Sequence, residues 1–531
     1  MFWVSCNVTL ESCRNSHLIV GFFVCMCVEN MRNLSKLSFA MILVLVSLLD
    51  GGWCNGDSEE AVVAAPMKKT EQDALYSAIQ GFVGNWWNGS DLFPDPCGWT
   101  PIQGVSCDYM DEFWYVTDLS IGPLHENSLS CSQNPKFRPQ IFELSHLKTL
   151  SFFNCFTSLH DPITLPGDKW EKLAASLESL EFRSNPSLIG PIPTVFGNFQ
   201  KLESLVLIEN GFTGSVPQSI GNLRHLKRLV LSGNKCSGRI PDSLGNLTEL
   251  LILDLSRNSL FGQLPLSIGY LNSLLKLDLS NNMLEGTIPG KVSNLKNLTL
   301  LDLRNNNFSG GLIRSFQEMG SLQELILSSN PLGGDIGNVD WGKMQNLIIL
   351  DLSNLGLSGE VPRSMAKLSK VRYVGLSNNN LTGNLPPEIA NMPSLSAVYV
   401  NGNNLTGELN FSETFYRRLG RRFGAWSNPN LCYPASLMSP GNAPLGVYAC
   451  KSKEVSNDPI LKSNLGDEYS IGQPQKQPSM DSAHKQVLGG ARDINPNIIS
   501  SLGLSSSGIH GVWWVLLVET FVVTLVWSWF S

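Results

Sequence analysis

Charged residues are scarce in this chain: they make up 16% of 531 residues and sum to a net charge of −7. A nucleic-acid surface needs a basic face, and this composition provides none. Histidine is sparse as well, seven in all. Of these, His125, His146, His160, His225, His484 and His510 lie beyond residue 54, and none stands with Cys, Asp or Glu at metal-ligand spacing. A glycine-rich phosphate loop and the H-R-D and D-F-G elements of a kinase are absent. The expectation is therefore a chain without catalytic residues, metal or cofactor, working by recognition.

What is present is periodic. Aligned on L-x-x-L-x-L-x-x-N-x-L-x-G-x-I-P, copies start at Leu147, Leu177, Leu202, Leu226, Leu250, Leu274, Leu298, Leu322, Leu347, Val371 and Leu395, most of them 24 residues apart. In each copy the L-x-L core predicts a short strand with its leucines inward. Stacked copies would pair these strands in parallel, forming a rod on the order of 50 Å along the stack. The asparagine falls where the chain turns, and its amide can bond backbone groups inside the turn. The glycine that follows permits a backbone conformation other residues resist. The I-P pair opens the outer segment, where proline forfeits no ladder bond. Three copies depart from the pattern. Leu355 replaces the turn asparagine, Gly311-Leu312-Ile313 lacks the proline, and the Leu322 copy is one residue longer with Trp341 in its outer segment. The fold expected is an α/β repeat, a leucine-rich-repeat solenoid with a curved parallel sheet in horseshoe form.

The signatures Gly214-Ser215-Val216-Pro217 and Gly238-Arg239-Ile240-Pro241 resemble the plant-specific class of leucine-rich repeats, which implies outer segments of the plant type. Asp95-Pro96-Cys97-Gly98-Trp99 and Gly104-Val105-Ser106-Cys107 resemble the N-terminal cap of that class, with cysteines spaced a little wider, and Asn428-Pro429-Asn430-Leu431-Cys432 looks like the start of its C-terminal cap. Thr70-Glu71-Gln72-Asp73 is expected to cap a helix carrying Ala74, Leu75, Ala78, Ile79 and Phe82 on one side. More narrowly, Trp86-Trp87 and the irregular stretch from Ser130-Cys131 to Cys155-Phe156 are similar to plant receptor-like proteins. That resemblance implies a cell-surface role in responses to root fungi or other microbes, a protein or peptide ligand, and a kinase-bearing co-receptor as partner. A secreted inhibitor of microbial cell-wall-degrading enzymes is the alternative, and a wall-associated scaffold is a third class.

The cysteines cluster at the two ends of the array, Cys97 with Cys107 and Cys432 with Cys450, as in an oxidised, secreted design. Cys131 and Cys155 lie one coil apart. Either stacking brings them within bridging range, or Cys155 simply fills a turn-asparagine position. Cys236 fills an apolar position and reads as a buried free thiol. Sequons at Asn88, Asn246, Asn297, Asn307, Asn380, Asn404 and Asn410 are expected glycan sites. On the strand face the outward positions are generic in the central copies, for example Asp254 with Ser256 and Asp278 with Ser280. Near the N-terminal side they are Phe153, Glu181, Arg183, Val206, Ile208 and Val230. These six form a ligand patch if exposed, or are ordinary strand residues partly covered by the cap. Asn401 and Gly402 stand where paired arginines would capture a peptide carboxylate.

The expected organisation runs from a leader and signal peptide, 1–54, to an N-terminal cap, 55–115, the repeats, 116–425, and a C-terminal cap, 426–450. A polar stalk, 451–511, and a hydrophobic segment, 512–531, follow. Arg32 and Lys36 precede the apolar run Phe39 to Leu49, a secretory pattern that starts at Met31, which reads either as the true initiator or as part of one long leader. Val512 to Phe530 is broken by Glu519 and is followed by no Lys or Arg, which favours a GPI-attachment signal over a single-pass helix. The location expected is the extracellular face of the cell membrane.

Overall fold

In the computed structural model, residues 66–451 are described, apart from 124–127, 168 and 438–442. The expected leader, stalk and C-terminal hydrophobic segment lie outside these residues. No helix among the described residues is long and apolar enough to cross a membrane.

The inward leucines assemble into one column. Leu119, Leu150, Leu180, Leu205, Leu229, Leu253, Leu277, Leu301, Leu325, Leu350, Val374, Val398 and Phe423 pair side by side in that order. All of them are buried. The strands carrying them are parallel members of a 14-stranded sheet, closed at its N-terminal edge by the antiparallel strand Val105–Met110. The column begins one strand before the first aligned copy, in Phe113–Ile121, and ends one strand after the last, in Phe423–Gly424. Asn428 serves as turn asparagine for that final coil, donating to the carbonyls of Val400 and Ala425 at 3.0 Å each.

The turn asparagines work as anticipated, and each spans two coils. Asn282 Nδ2 donates to the Leu255 carbonyl one coil back (3.0 Å) and to Leu279 (3.1 Å) and Ser280 (3.2 Å) in its own coil. Its Oδ1 accepts the Leu260 N–H at 3.0 Å. The residue just before each turn asparagine holds a positive φ in every coil: Asn154, Ser184, Glu209, Gly233, Arg257, Asn281, Asn305, Ser329, Asn354, Asn378, Gly402 and Ser427. For non-glycine residues this conformation costs roughly 1–2 kcal/mol, which the buried turn bonds offset. Positive φ thus falls at this position as well as at the glycine five residues further along, as at Asn281 and Gly286, where the lack of a Cβ removes the cost.

A second parallel sheet of seven strands lies after the turns, from Ile163–Thr164 to Asn307–Ser309. Its members are the L-x-G residues of successive copies, such as Ser259–Gln263 beside Met283–Thr287. The sheet stops where the departures from the repeat cluster. Gly310 and Gly311 both take positive φ, as do Gly333 and Gly334 in the next coil; beyond them come the bridges Asp335↔Ser358 and Glu360↔Thr382, and then a separate three-stranded sheet of Thr406–Glu408, Asn430–Tyr433 and Tyr448–Ala449. The outer segments are 3-10 helices of three to five residues, most of them entered through a proline such as Pro217, Pro241 or Pro265. Trp341 is fully buried in the outer segment of the longer copy.

Helix α1 (Lys69–Val83) packs Ala74, Leu75, Ala78, Ile79 and Phe82 against the first strands, as its pattern required. Its expected cap does not form. The helix starts at Lys69 without a side-chain cap bond, so Thr70 to Asp73 lie inside the helix itself. Glu71 is instead buried and accepts the Val116 N–H at 3.3 Å, tying the helix to the sheet. Burial raises its carboxyl above the usual carboxylate range. A short helix α2 (Gly89–Leu92) follows in the cap, and α3 (Glu413–Leu419) covers the far end.

Cys97–Cys107, Cys131–Cys155 and Cys432–Cys450 are disulfides. For Cys131 and Cys155 both readings hold together. Cys155 occupies the turn-asparagine position of its coil, its N–H bonded by Asn185 Oδ1 at 2.8 Å, and its sulfur is bridged to Cys131. Cys236 is a buried free thiol, and burial pushes its pKa up to about 11.

Candidate concave recognition surface

The outward residues of the 14-stranded sheet form three rows across the coils, fixed by the parallel register. At the N-terminal end the register brings the expected patch together: Glu181, Val206 and Val230 are neighbours in one row, and Phe153, Arg183 and Ile208 in the next. As an exposed patch it shrinks. Val206 is 0% and Val230 4% exposed, so neither offers its side chain to a ligand. Phe153, Glu181, Arg183 and Ile208 are half-buried. Arg183 Nε bonds Glu181 Oε2 at 2.9 Å, so the two charges satisfy each other.

The central coils carry a ladder of carboxylates, Asp254, Asp278 and Asp302, in direct register. Each accepts the N–H two residues on, from Ser256 (2.9 Å), Ser280 (2.9 Å) and Arg304 (3.1 Å) respectively. Asp302 is 3% exposed. Burial, reinforced by the Asp278 charge, pushes its pKa up to about 7, although Arg304 Nε lies 3.2 Å away and opposes the shift. Burial raises Asp278 as well.

The C-terminal coils carry aromatics. Tyr373 and Tyr399 lie 5.9 Å apart between ring centroids, and Trp426 follows on the last coil. Two glycines make room for them. A Cβ on Gly375 would sit 2.5 Å from Asp351 Oδ1 and 3.0 Å from the Tyr373 ring; one on Gly424 would sit 2.6 Å from the Tyr399 ring and 2.9 Å from Trp426. All three rings are half-buried, lying along the sheet with part of each surface in solvent. Burial and the nearby Asp351 carboxylate raise the Tyr373 hydroxyl; burial raises Tyr399, opposed by the Arg422 charge. The result is an aromatic platform between an acidic and a basic group. The sequence carried a signal for it, since Gly375 and Tyr399 replace the generic Asp of one outward row, and Tyr373 follows Ile349 in the row beside it.

Comparison with known proteins agrees with this geometry. A leucine-rich repeat region model matches residues 196–330, and a leucine-rich repeat model matches residues 370–392. The chain is a leucine-rich-repeat protein. It is 58% identical over 181 residues to Piriformospora indica-insensitive protein 2 of Arabidopsis thaliana, covering 33% of this chain and 42% of that protein. It is 36% identical over 157 residues to Receptor like protein 29 of Arabidopsis thaliana, covering 29% of this chain and 32% of that one. The matches thus span less than half the length of either curated relative. Among solved structures, the plant peptide hormone receptor RGFR1 in complex with RGF2 superposes with a TM-score of 0.50 at 28% identity, covering 56% of this chain and 46% of that chain.

All seven sequon asparagines of this leucine-rich-repeat chain are exposed. Asn307, Asn380 and Asn404 occupy one repeat position, directly after the turn asparagine, on the side away from the outward strand rows. Asn246 closes an outer 3-10 helix, and Asn297 follows the next-but-one. None of the seven belongs to the outward rows of the large sheet.

Proposed function

We propose that this chain is a cell-surface recognition protein, not an enzyme, which binds a peptide or protein ligand on the C-terminal half of its concave sheet and signals through a kinase-bearing partner. The observation that carries the reading is the platform of Tyr373, Tyr399 and Trp426, for which Gly375 and Gly424 leave room. Half-exposed aromatics held rigidly between a carboxylate and a guanidinium are what interface anchors are built from. The absence of sequons from this face fits a surface kept free for a ligand. The likeness to a peptide hormone receptor supports a peptide, and the likeness to Piriformospora indica-insensitive protein 2 supports a role in plant responses to microbes. Extracellular placement is supported by the three disulfides.

The test is to pan a random peptide library on the secreted chain and counter-select on the Tyr373→Ser/Tyr399→Ser variant. Peptides that bind the parent and lose at least tenfold in affinity for the variant are expected, about 1.4 kcal/mol. Enriched peptides that bind both proteins equally would reject the platform as the site.

A further inference from the structure

Away from the concave face, on the side of the second sheet, a cleft of about 570 Å³ opens between two segments. Gln133 to Phe137 form one wall and Phe156 to Pro166 the other, with Ser187 between them. The Cys131–Cys155 disulfide joins the two walls at their bases. One wall is pinned to α1 by Ser132 N–H to the Phe82 carbonyl and Lys136 N–H to the Gly81 carbonyl, each 2.8 Å. Phe137 and Phe156 stack at 5.4 Å under the cleft. The site is therefore built and held open by covalent and packed supports.

Its volume lies in the range of roughly 300–1,000 Å³ that holds a small ligand, but its lining is more polar than such sites usually are. Hydroxyls, carboxamides and single charged groups alternate along it: Thr157, Ser158 and Thr164, Gln133 and Asn134, and Lys136 with Asp161. Ser187 is 3% exposed, and its hydroxyl has no hydrogen-bond partner among the described residues. A buried hydroxyl left unpaired costs about 1–3 kcal/mol, so a ligand hydroxyl that paired with it would recover that term.

An extended peptide fits less well. Ile163–Thr164 is the edge strand of the second sheet, and the Ile163 N–H bonds Ser187 in the neighbouring coil. In a parallel ladder the groups of Thr164 then face the free edge. Pro162 and Pro166 flank the strand and lack N–H groups, leaving too short a run for strand addition. Many small donors and acceptors around the half-buried Phe137 ring match a polyhydroxylated ring.

We infer that this cleft is a binding site for a neutral oligosaccharide, seated on Phe137 with the buried Phe156 behind it, and hydrogen-bonded by the hydroxyl and amide side chains of both walls. The site is separate from the aromatic platform and stands or falls without it.

The test is calorimetric titration of the secreted protein with neutral trisaccharides of glucose, mannose and N-acetylglucosamine, and with a uronic-acid trisaccharide as the charged control. One neutral trisaccharide is expected to bind saturably and more tightly than the uronate. Ser187→Ala should weaken it about three- to tenfold without lowering the melting temperature, since it removes an unpaired polar group. Thr157→Trp, at an exposed wall position, should abolish binding and leave folding intact. Absence of binding by every neutral trisaccharide at millimolar concentration would overturn the inference. So would binding indifferent to both variants, tighter binding of the uronate, or a library peptide whose binding is the only one that Thr157→Trp blocks.

Discussion

Adjacent turn asparagines share their acceptors, so removing two neighbours should cost more than the sum of the single losses. The Leu255 carbonyl accepts from Asn258 Nδ2 at 3.1 Å and from Asn282 Nδ2 at 3.0 Å. Asn258→Ala leaves that carbonyl one partner and orphans the Cys236 N–H, which had bonded Asn258 Oδ1 at 3.0 Å. Asn282→Ala likewise orphans the Leu260 N–H. Each single variant should lose about 2–4 kcal/mol, one unsatisfied buried N–H at about 1–3 kcal/mol plus the partly redundant amide bonds. The double variant also strips the Leu255 carbonyl of both side-chain partners and should lose about 1–2 kcal/mol beyond additivity. Because stacked repeats can unfold in segments, the fitting assay is native-state hydrogen exchange of peptides spanning 250–285, alongside urea unfolding. A double variant additive to within about 0.3 kcal/mol would refute the shared-acceptor account. The protein already contains a natural version of this experiment. Leu355 lacks the amide, yet the Leu327 carbonyl keeps its bond from Asn330 (2.7 Å) and the Leu352 carbonyl its bond from Asn379 (2.8 Å). Asn379 Oδ1 accepts both Leu355 and Leu357 N–H at 3.0 Å, so one missing asparagine is tolerated because its neighbours stand on either side.

Further outcomes follow from other parts of the structure. The raised Asp302 keeps its proton in the folded chain to about pH 7, while the unfolded carboxyl releases it near 4. Its stabilisation is therefore complete below about pH 4 and is lost as pH rises toward 7, by up to about 4 kcal/mol at 1.36 kcal/mol per unit. Thermal melts between pH 4 and 8 should show this decline, and Asp302→Asn should flatten it; a parent whose melting point rises over that range would contradict the assignment. Cys131→Ser opens a 24-residue loop and should destabilise the N-terminal coils by about 3 kcal/mol, read as faster exchange in residues 116–166 with the far coils unchanged. Alkylation of the native protein should leave Cys236 unmodified, and denaturation without reductant should expose it as a reactive thiol while the three disulfides stay closed.

How much of this was legible in the sequence depended on period. The inward column from Leu150 to Val398 and the turn asparagines repeat every coil, so one alignment fixes their register. The positive-φ residue also recurs, but as Asn, Ser, Gly, Glu or Arg, and a backbone requirement met by several residue types leaves little pattern. The second sheet leaves little signal because its strands are the L-x-G segments, too short and glycine-interrupted to show alternation. Val206 and Val230 sit at outward positions, yet exposure there depends on the size of neighbours one coil away, which alternation along a strand does not encode. Asn428 reads as part of the cap because Phe423 and Ala425 replace the leucines of that coil. The helix cap at Thr70 to Asp73 failed for a related reason: Glu71 is drawn inward by Val116, a contact 45 residues distant. The aromatic platform needed the register too, because Tyr373, Tyr399 and Trp426 lie in three different rows and become one surface only when the coils stack.

The central claim is that recognition occurs on the C-terminal concave face. Its most direct test is hydrogen–deuterium exchange of the secreted chain with and without a peptide selected by panning. The account predicts slowed exchange in segments containing Tyr373, Tyr399 and Trp426 and no change in the outer 3-10 helices. Protection confined to the outer helices or to the cleft beside Ser187, with the Tyr373–Trp426 coils unaffected, would contradict it.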